Sequence, residues 1–195
     1  VETRCSSEGG ILFEAPATSI DARLKQWKQD GLRAVAISIM HAYAEPGPEL
    51  RLAARVKEAG LIPFCSHRSS REQGILRRSE TALVDAYLTP LLSDYLAGLQ
   101  AELPGSELLL MQSSGRLIDA DRFFGRNAIM SGPAGGVVAA LAVSQALEQP
   151  QALAFDMGGT STDVCRFADR PPHVQTSEVD GIHLAAPAVD IVTVA

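Results

Sequence analysis

Nine consecutive residues, Phe155-Asp156-Met157-Gly158-Gly159-Thr160-Ser161-Thr162-Asp163, carry the densest chemistry in this chain. An apolar strand delivers Asp156 to its end, and two glycines then permit a tight turn with no Cβ in the way. Consecutive main-chain N–H groups in such a turn form a concave array suited to phosphate oxygens. Thr160, Ser161 and Thr162 add hydroxyl donors, and Asp156 and Asp163 offer the hard oxygens that Mg²⁺ prefers. A Walker-type loop is excluded, because it needs GxxxxGK[ST] running into a helix; here no Lys is present and the residues that follow read as a strand. A Gly-Gly hairpin turn that binds nothing is the competing interpretation, and two aspartates with three hydroxyls in nine residues weigh against it.

A second segment, Ser131-Gly132-Pro133-Ala134-Gly135-Gly136, precedes a helix expected from about Val137 to Leu147. A helix N-terminus offers free N–H groups and the positive end of its dipole to an anion. Alone, the segment also reads as an ordinary glycine-rich turn. Asp190, between apolar neighbours, is a candidate third magnesium ligand or an exposed loop carboxylate. His41 follows a buried strand and could face a cleft at that strand's carboxyl end, although a hydrogen-bonded structural role is the plainer reading. His67, His173 and His183 show no ligand spacing. Cys5, Cys65 and Cys165 form no CxxC pair, so neither a zinc knuckle nor a disulfide framework is indicated, and a reducing cytosol fits. Cys165 reads as a small buried apolar side chain.

The elements that must position these residues follow from periodicity and punctuation. Two extended segments flank Glu8-Gly9-Gly10, and a helix with Asp21 as N-cap runs to Gly31. Ala34–Met40 reads as a buried strand, Glu49–Ala59 as a helix with Leu50, Ala53, Ala54 and Val56 inward, and Leu61–Cys65 as a further strand. Strand, helix, strand in that order implies a parallel α/β unit. Helical spacing resumes from Ile75, and Pro90 is expected to divide it into two helices with Thr89 as N-cap, a kinked single helix being the alternative. The basic run Arg68–Arg78 reads as a solvated helix face. Beyond a boundary near residue 105, Leu108–Met111 is a strand, Asp119–Phe124 a helical turn, Ala128–Met130 extended, and Ala152–Asp156 and Thr162–Phe167 strands. Short extended segments near Val174 and Ile182 precede a terminal apolar run, Ile191–Ala195.

Of the 195 residues, 46% are hydrophobic and 21% charged, enough for a globular core. A net charge of −6 argues against a nucleic-acid partner. Neither a basic-then-apolar leader nor an apolar run of membrane length is found, so a cytoplasmic protein without a membrane span is expected. Both ends look cut, which suggests a piece of something larger.

The strand–turn–strand around Asp156-Met157-Gly158-Gly159-Thr160 resembles the phosphate hairpin of the sugar-kinase/Hsp70/actin superfamily. Ser-Gly-Pro-Ala-Gly-Gly-Val-Val at 131–138 with Phe-Asp-Met-Gly-Gly-Thr-Ser-Thr-Asp-Val at 155–164 resembles the hydantoinase A/5-oxoprolinase family. Ala86-Tyr87-Leu88-Thr89-Pro90 and residues 186–195 resemble it too, the latter more in the manner of the oxoprolinase branch. The resemblance spans nearly the whole chain but only the middle of the family's protein, whose members begin with another D-x-G-G-T loop.

What it implies is an α/β chain with part of a sugar-kinase/Hsp70/actin-like (ribonuclease H-like) fold, a parallel or mixed sheet and flanking helices. Residues 1–105 would complete an N-terminal half with a helical pair, and 106–195 would begin the second half and carry the hairpin. The implied activity is ATP-dependent opening of a cyclic amide, 5-oxoproline to glutamate or a hydantoin, through phosphorylation of the carbonyl oxygen. ATP and Mg²⁺ are the implied cofactors. Gly132, Gly135, Gly136, Gly158, Gly159, Thr160, Ser161 and Thr162 would bind nucleotide, and Asp156, Asp163 and Asp190 would organise the metal. The hydrolytic groups would sit on a B-type subunit or fused domain, so no general base is assigned, and this stretch alone is expected to be inactive. An ATP-driven activator or reactivase, or a carboxylase subunit, is the alternative. A sugar or acetate kinase would need an acceptor-binding acid and base that the sequence does not offer.

Overall fold

The structure, a computed structural model, describes residues 2–194; Val1, and Ala195 at the end of the terminal apolar run, lie outside the described residues. The chain forms two compact units. The first holds the chain through Asp94 together with Glu178–Ala185, and the second holds Tyr95–Ser177 together with the chain from Ala186 onward.

In the first unit, β1 (Thr3–Cys5) and β2 (Ile11–Glu14) form an antiparallel hairpin. A 3₁₀ turn at Ala17–Ile20 leads into α1 (Asp21–Gln29). Asp21 makes no capping bond; its carboxylate pairs instead with Arg55. Then β3 (Ala34–Ile37), α2 (Gly47–Glu58) and β4 (Ile62–Cys65) make the expected parallel crossover, with Ala34 opposite Ile62 and Ile37 opposite Cys65. The strand stops at Ile37 rather than Met40, because residues 38–46 turn through a left-handed His41, φ 61°. The inward face of α2 is Leu52, Ala53 and Val56, not Leu50 or Ala54, which are exposed. These residues join Cys5, Leu24, Ile37, Ile39, Ala42, Leu61 and Cys65 in one core.

A short helix, α3 (Ser66–Ser69), follows β4 directly, and residues 70–74 are irregular. The basic run is therefore not one helix face, and its last member, Arg78, is fully buried. Next, α4 (Ile75–Glu102) is one continuous 28-residue helix with Pro90 inside it, not two helices. A proline in a helix interior forfeits one hydrogen bond and crowds the preceding turn. Here Thr89 and Pro90 are both buried, so packing holds the helix together across that defect.

In the second unit, β5 (Leu109–Met111) and β6 (Leu117–Asp119) form a hairpin, with a 3₁₀ turn at Ala120–Arg122. The expected extended stretch at Ala128–Met130 is instead the end of α5 (Gly125–Ala128) and a turn. Then come α6 (Ser131–Ala146), β7 (Gln151–Met157) and β8 (Thr162–Ala168). β9 (His173–Val174), β10 (Ser177–Val179) and β11 (Ile182–Leu184) are short; β10 pairs with β11, and that hairpin returns to the first unit's residues. β12 (Ala188–Val189) pairs with β9, and β13 (Val192–Val194) pairs with β8, giving an antiparallel sheet of order β13-β8-β7. α6 covers one face of that sheet through Ala134, Val137, Cys165, Phe167 and Val189, with Ala152, Ala154 and Ile191 at the margin. Among the described residues, no helix is long and apolar enough to cross a membrane.

Candidate functional site

The register of β7 and β8 places Asp156 opposite Asp163 and Met157 opposite Thr162, so residues 158–161 form the turn. The Gly158 N–H donates to Ser161 O at 2.9 Å and closes it. Gly158, Gly159 and Thr160 are exposed and Ser161 half-buried. The N–H groups of Gly159, Thr160 and Ser161 have no acceptor among the described residues. One amide is thus used internally and three stay available, in a turn that no apolar neighbour packs shut.

Side chains alternate across a strand, and directly opposed residues share a face. Asp156 therefore lies on the face of Ala152 and Ala154, toward α6, while Leu153, Phe155 and Met157 point the other way and stay more than half exposed. Thr193 of β13 is opposite Asp163, and its Oγ1 donates to Asp163 Oδ1 at 2.6 Å. Asp156, Asp163 and Thr193 thus form a row across the three strands. The Asp156 carboxylate accepts no hydrogen bond from any described residue.

The Ser131–Gly136 segment is not a loop before the helix but its first turn and a half. Pro133 fits there because the first turn has no intrahelical use for its N–H. Gly136 is the point of closest approach: a Cβ on it would lie 3.4 Å from Asp156 Oδ2. A Cβ on Gly135 would reach only Met111 Cγ, at 3.9 Å, and one on Gly132 would meet nothing within 4 Å. The N–H of Gly132 has no acceptor among the described residues. The two glycine-bearing motifs, apart in sequence, therefore meet at Asp156. Gly115, at φ 74°, sits in the turn after β5, where a Cβ would be 3.0 Å from Val138 Cγ2 and 3.5 Å from Val189 Cγ2. That close packing fixes α6 against β12.

Asp190 is not in the acidic row. Its N–H donates to Pro172 O at 2.9 Å. It precedes Thr193 by three residues, which at strand rise is roughly 10 Å. Its charge acts on Cys165, a buried thiol whose pKa is raised first by desolvation and then by Asp190.

A cluster that spacing did not announce lies in the other unit, where ligand atoms of Glu49, Cys65 and His67 gather within 4.8 Å of one another. Glu49, fully buried in the first turn of α2, is saturated. Its Oε1 accepts from Ile39 N at 2.8 Å and Ser66 Oγ at 2.6 Å, and its Oε2 meets His67 N at 3.2 Å and His67 Nδ1 at 2.6 Å. Burial, with Glu49 beside it, pushes the Cys65 thiol up to about 11. With both Glu49 oxygens engaged, the cluster is a hydrogen-bonded node tying α2 to β4 and α3.

The description hydantoinase/oxoprolinase matches residues 78–195, and its N-terminal region matches residues 1–60. This chain belongs to the hydantoinase/oxoprolinase family. The 5-oxoprolinase of Saccharomyces cerevisiae is 36% identical over 191 residues, covering 95% of this chain and 15% of the relative. The chain thus spans about a seventh of that protein. Among solved structures, the ATP-dependent caprolactamase of Pseudomonas jessenii superposes with a TM-score of 0.87 at 26% identity, covering 98% of this chain and 29% of that one. Acetone carboxylase, solved nucleotide-free in a study of ATP-dependent acetone carboxylation, gives a TM-score of 0.84 at 20% identity over 99% of this chain and 29% of that one, a likeness of fold alone.

Proposed function

We propose that the β7–β8 hairpin binds the phosphates of ATP, and that the whole protein uses ATP to open a cyclic amide. The observation that carries this reading is the meeting of Asp156 and Asp163 beside an exposed Gly-Gly turn, with the Gly136 face of α6 against Asp156. On this reading the chain is part of an actin-like fold, with one half ending and a second beginning near residue 105. The names of its relatives, 5-oxoprolinase and caprolactamase, favour a ring amide over a ketone as substrate.

The donor set fits a magnesium nucleotide. Free amides at Gly159, Thr160 and Ser161, with the hydroxyls of Thr160 to Thr162, would hold phosphate oxygens, and Gly132, Gly135 and Gly136 would line the nucleotide cleft. Asp156 and the free oxygen of Asp163 would hold Mg²⁺ or its waters, and the ion would neutralise phosphate charge. Asp190 would join only through a rearrangement at its end of β13.

A lactam carbonyl is resonance-stabilised, and its oxygen leaves poorly. Its attack on the γ-phosphorus, with ADP leaving, would give an imidate phosphate. Water then adds to the carbon, the ring nitrogen leaves with a proton to give an acyl phosphate, and a second water hydrolyses that acyl phosphate to the carboxylate and free phosphate. This chain's part is positioning and charge neutralisation. The water-activating group is assigned to a B-type subunit or fused domain.

The test is ATP hydrolysis by the intact parent protein with 5-oxo-L-proline, ε-caprolactam or hydantoin. Stimulation by a cyclic amide is expected. Stimulation by a partner protein alone would favour an activator instead.

A further inference from the structure

The first unit contains a buried cation that the hairpin chemistry does not use. Arg78, in the first turn of α4, is fully buried. Its Nη2 donates to Ile39 O at 3.0 Å, its Nη1 reaches Glu72 O only at 3.5 Å, and its Nε has no partner. No carboxylate among the described residues forms an ion pair with it. Glu49, the nearby buried acid, has both oxygens committed elsewhere. Desolvation lowers the Arg78 pKa, and Glu49 and Tyr43 only partly oppose it. A buried charge without a counter-charge is costly, and a guanidinium's planar fork matches a carboxylate in two-point contact.

The surroundings point the same way. The Arg78 guanidinium lies 5.5 Å from the centroid of the Tyr43 ring. Tyr43 meets His41 edge to face, its hydroxyl 3.3 Å from His41 Nδ1. His41 holds a left-handed backbone, φ 61°, which non-glycine residues adopt at a cost and which clusters at ligand-binding positions. All three residues lie past the carboxyl ends of the parallel strands β3 and β4, where α/β folds receive ligands.

We propose that Arg78, with Tyr43 and His41 beside it, receives the carboxylate of a small acidic substrate, the group that distinguishes 5-oxoproline from a plain lactam. This rests on the cyclic-amide reading for the substrate's identity. The arriving carboxylate takes the place of the 3.5 Å contact to Glu72 O and occupies the free donors.

The experiment compares 5-oxo-L-proline with 2-pyrrolidinone, the same ring without the carboxylate, in the intact parent. Both kcat/KM for ATP-coupled opening and affinity by calorimetry are measured for wild type, Arg78→Lys, Arg78→Met and His41→Asn; Asn tolerates the left-handed backbone. The preference for the acid falls by on the order of 10- to 100-fold in Arg78→Met, and less in Arg78→Lys. If Arg78→Met does not fold, Arg78→Lys and His41→Asn decide. An unchanged preference, or equal losses with both lactams, overturns the proposal in favour of a structural arginine. If the parent opens no cyclic amide, the calorimetry still decides. Binding that needs both Arg78 and the carboxylate would uphold the receptor and refute only the activity, and its absence would refute the receptor.

Discussion

Replacing Gly136 by Ala separates folding from function within one side chain. Glycine inside a helix costs about 0.5–1 kcal/mol relative to alanine, so the substitution should stabilise the protein by that amount. The new methyl would sit 3.4 Å from Asp156 Oδ2. A water bound to that oxygen needs an approach of about 2.7–2.8 Å and a magnesium ion about 2.0–2.1 Å, and the methyl occupies that side. Disturbing the surroundings of a metal ligand costs roughly 10- to 100-fold in affinity or activity. The expected result is a more stable protein whose magnesium requirement for ATP hydrolysis rises about 10-fold or more. Gly98→Ala is the control, since Gly98 lies in α4 with nothing within 4 Å of its added Cβ. It should give the same stabilisation with unchanged kinetics. The assay is a magnesium titration of ATP hydrolysis in the intact parent, paired with denaturant unfolding. Identical behaviour of the two variants in both measurements would refute the reasoning.

Three further outcomes follow from the structure. Glu49→Ala strands the Ile39 amide, the Ser66 hydroxyl and the His67 ring in a buried site, and a loss of about 3 kcal/mol in unfolding free energy is expected; a loss below about 1 kcal/mol would contradict the node. Gly115→Ala combines a left-handed backbone with a 3.0 Å contact to Val138, so it should destabilise by about 1–2 kcal/mol, and a neutral result by chemical denaturation would count against that packing. The Cys65 pKa rises on folding, from an ordinary 9.0 to about 11. Its contribution to stability is therefore intact below pH 9 and lost as pH climbs from 9 toward 11; Cys65→Ala should flatten that decline, and an unaltered pH profile would exclude the thiol as its source.

The hairpin was legible because its signals are local: apolar runs on either side of Gly158-Gly159, with an acid closing each strand. The parallel β3–α2–β4 unit was legible for the same reason. The start of α6 was not, since Gly132, Pro133, Gly135 and Gly136 all argue against a helix by propensity; Pro133 is tolerated in the first turn, and of the three glycines only Gly136 comes close to Asp156. Pro90 reads as a break in sequence, yet buried neighbours carry α4 across it. Arg78 sits in a charge run that composition assigns to solvent, and only the fold shows it enclosed. The Glu49–His67 contact joins residues too far apart in sequence for spacing to announce it.

The affinity of the intact parent for MgATP, measured by calorimetry with wild type and the near-isosteric Asp156→Asn, tests the hairpin most directly. Retained folding with a drop of about 10- to 100-fold in magnesium-dependent affinity is predicted. A well-folded Asp156→Asn protein that binds MgATP as tightly as wild type would contradict the assignment of residues 156–163 to the nucleotide.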